Sequence, residues 1–194
     1  LNKKSSLGPL YLAIKGLLKW FKKTHCSGII IGGIAASLLG KPRTTRDIDA
    51  LVFVDENKWP EFLKTGENFG FYPRNKDILK FAEQNRILLL THKPTHIDID
   101  ISFGFLPFEK ESLNRAITLP IGGITIPLPT PEDLIIMKAV AHRHQDLLDI
   151  EGIIEANPEL DFKRIKYWVK EFAEVLETKE IFDDIRKLLP KKSR

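Results

Sequence analysis

Asp47 and Asp49 flank Ile48 and open an apolar run, Ala50-Leu51-Val52-Phe53-Val54. Side chains alternate along a strand, so the two carboxylates project to one face, about 7 Å apart. Like charges that close repel, and stability alone gives no reason to place them together. A divalent cation removes the objection, and hard oxygen ligands suit magnesium or manganese. Upstream, Gly32-Gly33 closes the apolar run Ile29-Ile30-Ile31, with thirteen residues between the glycines and Asp47. Glycines there let a phosphate approach the backbone and a helix N-terminus with no side chain in the way. An Asp-x-Asp pair alone often marks only a solvated strand edge. The ordered set of strand, glycine pair, helical stretch, basic loop and acidic strand says more.

A second acidic strand lies downstream. Period two puts His96, Asp98 and Asp100 on one face of His96–Ile101, and Ile97, Ile99 and Ile101 on the core face. Geometry leaves the choice between Asp98 and Asp100 as a third carboxylate open. Arg43 and Arg46 precede the first acidic strand, where a basic residue can neutralise carboxylates or contact a triphosphate. Lys138 lies on a helix whose Leu134, Ile135 and Val140 pack inward, so it can snorkel to water or reach a phosphate. Asp146 and Asp149, three apart, share a helix face and can hold Arg143 or Lys138, a structural role. His142-x-His144 does not bring two rings together for zinc.

Positioning these groups requires alternating elements. Helical spacing runs from Leu10 to Phe21, and Gly28–Ile31 is a short buried strand. Gly33–Leu39 is a helix ended by Gly40, and Asp47–Val54 is the second strand. Asn57–Phe69 is a helix with Asn57 as cap, Gly70–Lys76 a turn and Asp77–Glu83 a short helix. Arg86–Thr91 and Thr95–Phe103 make an antiparallel hairpin, and Pro107–Asn114 is a helix. Gly122-Gly123 turns a second hairpin. Thr130 caps a helix whose periodicity continues through Ile154, and two further helices span Phe162–Leu176 and Thr178–Leu189. The fold class is therefore α/β (α+β), a mixed sheet flanked by helices. Residues 1–129 form the catalytic unit and 130–194 a helical C-terminal lobe.

Composition fits an ordinary globular domain of 194 residues with a small positive net charge of +4. That charge is compatible with a nucleotide or nucleic-acid partner but does not argue for one. Part of it sits in Lys191-Lys192-Ser193-Arg194, read as a frayed tail. The one cysteine, Cys26, rules out an internal disulfide and suits a reducing cytoplasm; in its apolar setting it reads as packing. No apolar run reaches membrane-spanning length, and no membrane partner is expected. Lys15, Lys19, Lys22 and Lys23 make the first apolar stretch an amphipathic helix and not a signal peptide.

The order of glycine pair and Asp-Ile-Asp strand resembles the nucleotidyltransferase superfamily, the polymerase-beta-like fold, with a spacer at the long end of its range. Gly40, Pro42, Arg43, Thr45, Asp47, Ile48 and Asp49 match its Gly-x-Pro-Arg-x-Thr-x-Asp-Ile-Asp pattern. The resemblance selects Asp100 over Asp98, because Pro107-Phe108-Glu109 follows it at the family's spacing. Lys138, Arg143, Asp146 and Asp149 are similar to a helix of small stand-alone members, including the abortive-infection toxin type, with Gln145 in place of a usual lysine. Residues 156–194 carry no recognised motif. The resemblance implies transfer of a nucleoside monophosphate from an NTP, such as ATP, to an acceptor hydroxyl, with release of pyrophosphate. Asp47, Asp49 and Asp100 would hold Mg2+ or Mn2+, and Gly32, Gly33 and Ser37 would receive phosphates. Arg43, Arg46 and Lys138 would contact the nucleotide. The acceptor would be a tRNA end, a protein or a small molecule, and an antitoxin would be a partner. A different class of function on the same fold is a catalytically silent nucleotide-binding or toxin–antitoxin interaction module. The intact acidic set argues against it.

Overall fold

The computed structural model describes residues 7–189. The chain divides into two compact units: residues up to Gly33 with Thr45–Leu128, and Ile34–Thr44 with the chain from Pro129 onward. With elements numbered in chain order, the first unit is built on a five-stranded mixed sheet. Its strands are β1 (Ser27–Ile31), β2 (Asp47–Phe53), β3 (Phe71–Pro73), β4 (Ile87–His92) and β5 (Ile97–Phe103), in spatial order β1-β2-β5-β4-β3. Only β2 and β5 run parallel; the other neighbours are antiparallel.

The sheet's apolar face is covered by aromatic packing. Trp20, from α1 (Leu7–Lys23), is fully buried and stacks on Phe62 and Phe71, while its indole N–H donates to Phe62 O at 3.0 Å. Phe62 belongs to α3 (Trp59–Glu67), whose Trp59 stacks on Phe103 at 4.0 Å between ring centres. Burying each such side chain stabilises the fold by roughly 1.5–3 kcal/mol or more. Two short helices, α4 (Ile78–Asn85) and α5 (Pro107–Asn114), complete the unit with a separate hairpin. That hairpin pairs β6 (Ile117–Ile121) with β7 (Ile124–Leu128), and its turn glycines, Gly122 and Gly123, both have positive φ (+56° and +87°). Two such residues are what a tight hairpin turn of matching twist requires.

The second unit is helical. The helix α2 (Gly32–Leu39) enters it after Gly33, and it continues with α6 (Pro131–Ala141), α7 (His144–Ala156), α8 (Phe162–Val175) and α9 (Lys179–Leu188). Thr130 caps α6 by accepting from the Asp133 N–H at 3.3 Å, with Pro131 in the first turn.

Three local readings are corrected. The helix expected to run from Thr130 through Ile154 is broken at His142, which turns left-handed (φ 49°), and restarts where Asp146 accepts from the Arg143 N–H at 3.2 Å. No glycine or proline marks that break, so apolar spacing carried across it. The stretch Gly70–Lys76, read as a turn, contains β3, whose three residues end in a proline. Asn57 caps nothing; it lies in a 3-10 turn, Glu56–Lys58, before α3. The terminal lysine-rich run lies outside the described residues.

Candidate active site

The parallel pairing of β2 with β5 sets Asp47 beside Asp98 and Asp49 beside Asp100. The isoleucine between each pair, Ile48 and Ile99, is completely buried on the opposite face. Two identical Asp-Ile-Asp segments thus lie side by side, and period two turns all four carboxylates to one face. Neighbouring strands are about 4.8 Å apart. At that spacing, with an effective dielectric near 20, each adjacent pair repels by roughly 3 kcal/mol.

Several groups answer that charge. Thr45 Oγ1 donates to Asp47 Oδ1 at 2.8 Å, and Thr91 Oγ1 donates to Asp98 Oδ1 at 2.6 Å. Arg74 bonds both acids of β5, Asp100 through Nη2 and Asp98 through Nη1 at 3.4 Å. Partial burial pushes the Asp100 carboxyl above its ordinary range; Arg74 opposes this, while Asp47 and Asp98 add to it.

Gly32 completes the arrangement. It has a φ of +63° and ends β1 where Ile31 pairs with Asp49. A Cβ on Gly32 would overlap the Asp49 carboxylate. The glycine is therefore required both by backbone conformation and by the close approach of the acid. Gly32 and Gly33 open α2, and the positive end of a helix favours an anion.

Among the described residues, no three His, Cys, Asp or Glu side chains converge as a ready-made metal cage. The donor set nevertheless fits a hard cation in kind: four carboxylates, no sulfur or imidazole, and excess negative charge partly answered by a guanidinium.

The other residues singled out in the sequence are placed as follows. Arg46 is exposed just before β2. Ser37, in the helical unit, donates its hydroxyl to Arg43 O at 3.1 Å. Arg43 grips Asp149 with Nε at 2.7 Å and Nη2 at 2.9 Å. Lys138 is only 4% exposed, and its ammonium bonds Asp146 at 2.9 Å and Asp149 at 2.6 Å. Arg143 adds a bond to Asp146 at 2.7 Å. Burial alone would raise the Asp146 and Asp149 carboxyls. The bonds from Arg143, Arg43 and Lys138 more than reverse this and hold both below the ordinary range. The structural role expected for the two aspartates is what the geometry shows. Burial drives the Cys26 thiol up to about 12, so at neutral pH it is not a thiolate.

Sequence reasoning missed Arg74. The other cations beside the hairpin are engaged elsewhere: Arg86 stacks over Trp59 and Phe105, and Lys93 over Tyr72. The missing signal was the strand β3, which alone carries Arg74 to the sheet.

A glycine-opened helix between two strands, with paired acids on the second strand and on its parallel neighbour, defines a nucleotidyltransferase-type fold. The chain belongs to the family described as nucleotidyltransferase of unknown function (DUF6036), which matches residues 13–187. No curated protein matches it in sequence. Solved structures share the fold. An antigenic nucleotidyltransferase-like protein from Paracoccidioides brasiliensis is 16% identical with a TM-score of 0.54, over 91% of this chain and 92% of the other. The antibiotic-resistance factor ANT(2'')-Ia is 15% identical with a TM-score of 0.59, over 87% and 93%. The lincosamide antibiotic adenylyltransferase LnuA, solved with lincomycin, is 14% identical with a TM-score of 0.50, over 75% and 96%.

Proposed function

We propose that this protein is a magnesium- or manganese-dependent enzyme that transfers a nucleoside monophosphate from an NTP to an acceptor hydroxyl, releasing pyrophosphate. The observation that carries this reading is the register of β2 against β5, which sets Asp47 and Asp49 beside Asp98 and Asp100. Asp47, Asp49 and Asp100 would hold the metal ions, which when bound supply Lewis acidity at the attacking and leaving oxygens. Asp100 would orient the acceptor hydroxyl and take its proton. The N–H groups of Gly32 and Gly33 would receive the β- and γ-phosphates, and exposed Arg46 would steady the triphosphate. By role we assign residues 1–129 to catalysis and 130–194 to the helical lobe, a division that differs from the compact units at Ile34–Thr44.

The acceptor is the finer question. LnuA and ANT(2'')-Ia are antibiotic-directed proteins on this fold, which supports testing small hydroxylated molecules. The resemblance to toxin-type chains supports testing tRNA ends and protein side chains, with an antitoxin as partner in the cytoplasm. No described helix is long and apolar enough to cross a membrane.

The test is a thermal shift with each NTP, with and without magnesium, followed by pyrophosphate release with each acceptor class. A ligand that binds the native state raises the midpoint. A magnesium-dependent rise with at least one NTP is expected. No shift with any NTP would sink the reading.

A further inference from the structure

Arg74 lies one residue beyond β3, and its backbone N–H donates to Leu89 O at 2.9 Å. Leu89 in turn pairs with Asp100 across the β4–β5 ladder. The backbones of Arg74 and β5 are therefore two strand spacings apart, about 9.6 Å, and the arginine side chain extends over β4 to meet the acids of β5. Packing does not force this contact. The side chains of Asp98 and Asp100 are 48% and 32% exposed, so water could solvate both. What the reach achieves is one positive charge set among four negative ones.

The same oxygens belong to the donor set assigned above to a divalent cation. An oxygen lone pair given to a guanidinium is not available to a metal ion, and two cations cannot crowd one carboxylate without repelling each other. We infer that Arg74 is a built-in counter-cation of the acid cluster, that a divalent ion displaces it from Asp100, and that it thereby sets how tightly the site holds metal. This rests on the metal-dependent reading of the site. Removing Arg74 acts in opposite directions on two properties. The metal-free protein loses the charge bonded to two of the four acids. The metal gains carboxylates that no longer have to be surrendered by a competitor. A residue that merely shaped the loop would weaken both properties together. The backbone bond to Leu89 anchors the loop independently of the side chain, so a side-chain variant tests charge and not folding of the segment.

The experiment is calorimetric titration of Mn2+ into the chelator-stripped full chain, as wild type, Arg74→Gln and Arg74→Lys, with melting of each in chelator and in Mn2+. Arg74→Gln is expected to bind Mn2+ roughly tenfold tighter, the scale of one charge-assisted pair. It is also expected to melt lower in chelator, with the gap closing as Mn2+ is added. Arg74→Lys keeps a charge without the fork and is expected to fall between the two. Should wild type bind Mn2+ while both variants bind it equally or more weakly, the competition is overturned and the metal site stands. Absence of Mn2+ uptake by all three chains removes the metal site, and the role of Arg74 with it.

Discussion

Gly32 ends β1 with a left-handed backbone and has the Asp49 carboxylate against its Cα. Gly32→Ala therefore asks two things of one methyl group. The conformation costs roughly 1–2 kcal/mol for any residue with a Cβ, and Asp49 must move out of the way. A lower melting temperature is expected together with weaker Mn2+ binding by calorimetry. An alanine variant with unchanged metal affinity would show that Asp49 need not be where Gly32 lets it sit. Asp49→Asn isolates the charge, since the amide keeps the shape. Magnesium-dependent pyrophosphate release is expected to fall by more than the roughly 10–100-fold that loss of an outer-shell metal partner costs. The metal-free melting temperature is expected to hold or rise slightly, because one repelling charge is gone. A variant that instead unfolds would point to a structural acid.

Among the elements, α6 and α7 are joined by chemistry as much as by packing. Lys138 is enclosed and satisfied by Asp146 and Asp149. Truncating one member of such a group leaves buried charge uncompensated, so Lys138→Met is expected to cost about 3–5 kcal/mol in chemical denaturation. A loss below about 1 kcal/mol would mean that the aspartates find water or Arg43 instead. The elements also explain what could be read from the sequence. The strands β2 and β5 announce themselves because Asp-Ile-Asp alternates with period two against a buried face. The turn at Gly122-Gly123 and the Thr130-Pro131 helix start follow from backbone chemistry confined to a few residues. Arg74 is not legible, because its partners lie 24 and 26 positions away and the strand that carries it is three residues long. The break between α6 and α7 escapes for a related reason: the carboxylate of Asp146 makes it, and the residues at the break itself give no sign. The register of β2 against β5 was likewise beyond reach, since periodicity fixes faces but not partners.

At the scale of the whole molecule, the two units carry different responses to acid. Burial pushes the His92 imidazole below its ordinary value, although the Phe69 backbone opposes this. Its contribution to stability is present above the unfolded value, about 6.5, and is lost as pH falls below it. In the helical unit, Asp146 and Asp149 are held below the carboxylate range despite their burial. Their contribution persists down to about pH 3.9 and goes only as pH falls through the folded values. Asp100 has the opposite sign, so protonation near the carboxylate range relieves the sheet unit. As pH falls from about 6.5 to about 4, hydrogen-exchange protection factors, corrected for the intrinsic slowing of exchange in acid, are expected to fall around β3 and β4 while those of α6 and α7 hold. Earlier loss of protection in α6 and α7 would contradict this order.

The pairing of β2 with β5 also has a kinetic side. Asp47 and Asp98 are neighbours in space but 51 positions apart in the chain, as 98 minus 47 gives. Parallel strands that far apart meet late and slowly during folding. Here the encounter brings four negative charges together, whereas β4 and β5 are joined by a short local turn and carry no such penalty. Salt shortens the range of that repulsion, from about 30 Å at 0.01 M to about 10 Å at 0.1 M. Refolding in stopped flow is therefore expected to accelerate as sodium chloride is raised over that range. Neutralising Asp47 and Asp98 as asparagines should flatten the dependence. A refolding rate indifferent to salt in the wild-type chain would mean that the strands join only after the acids have already been screened.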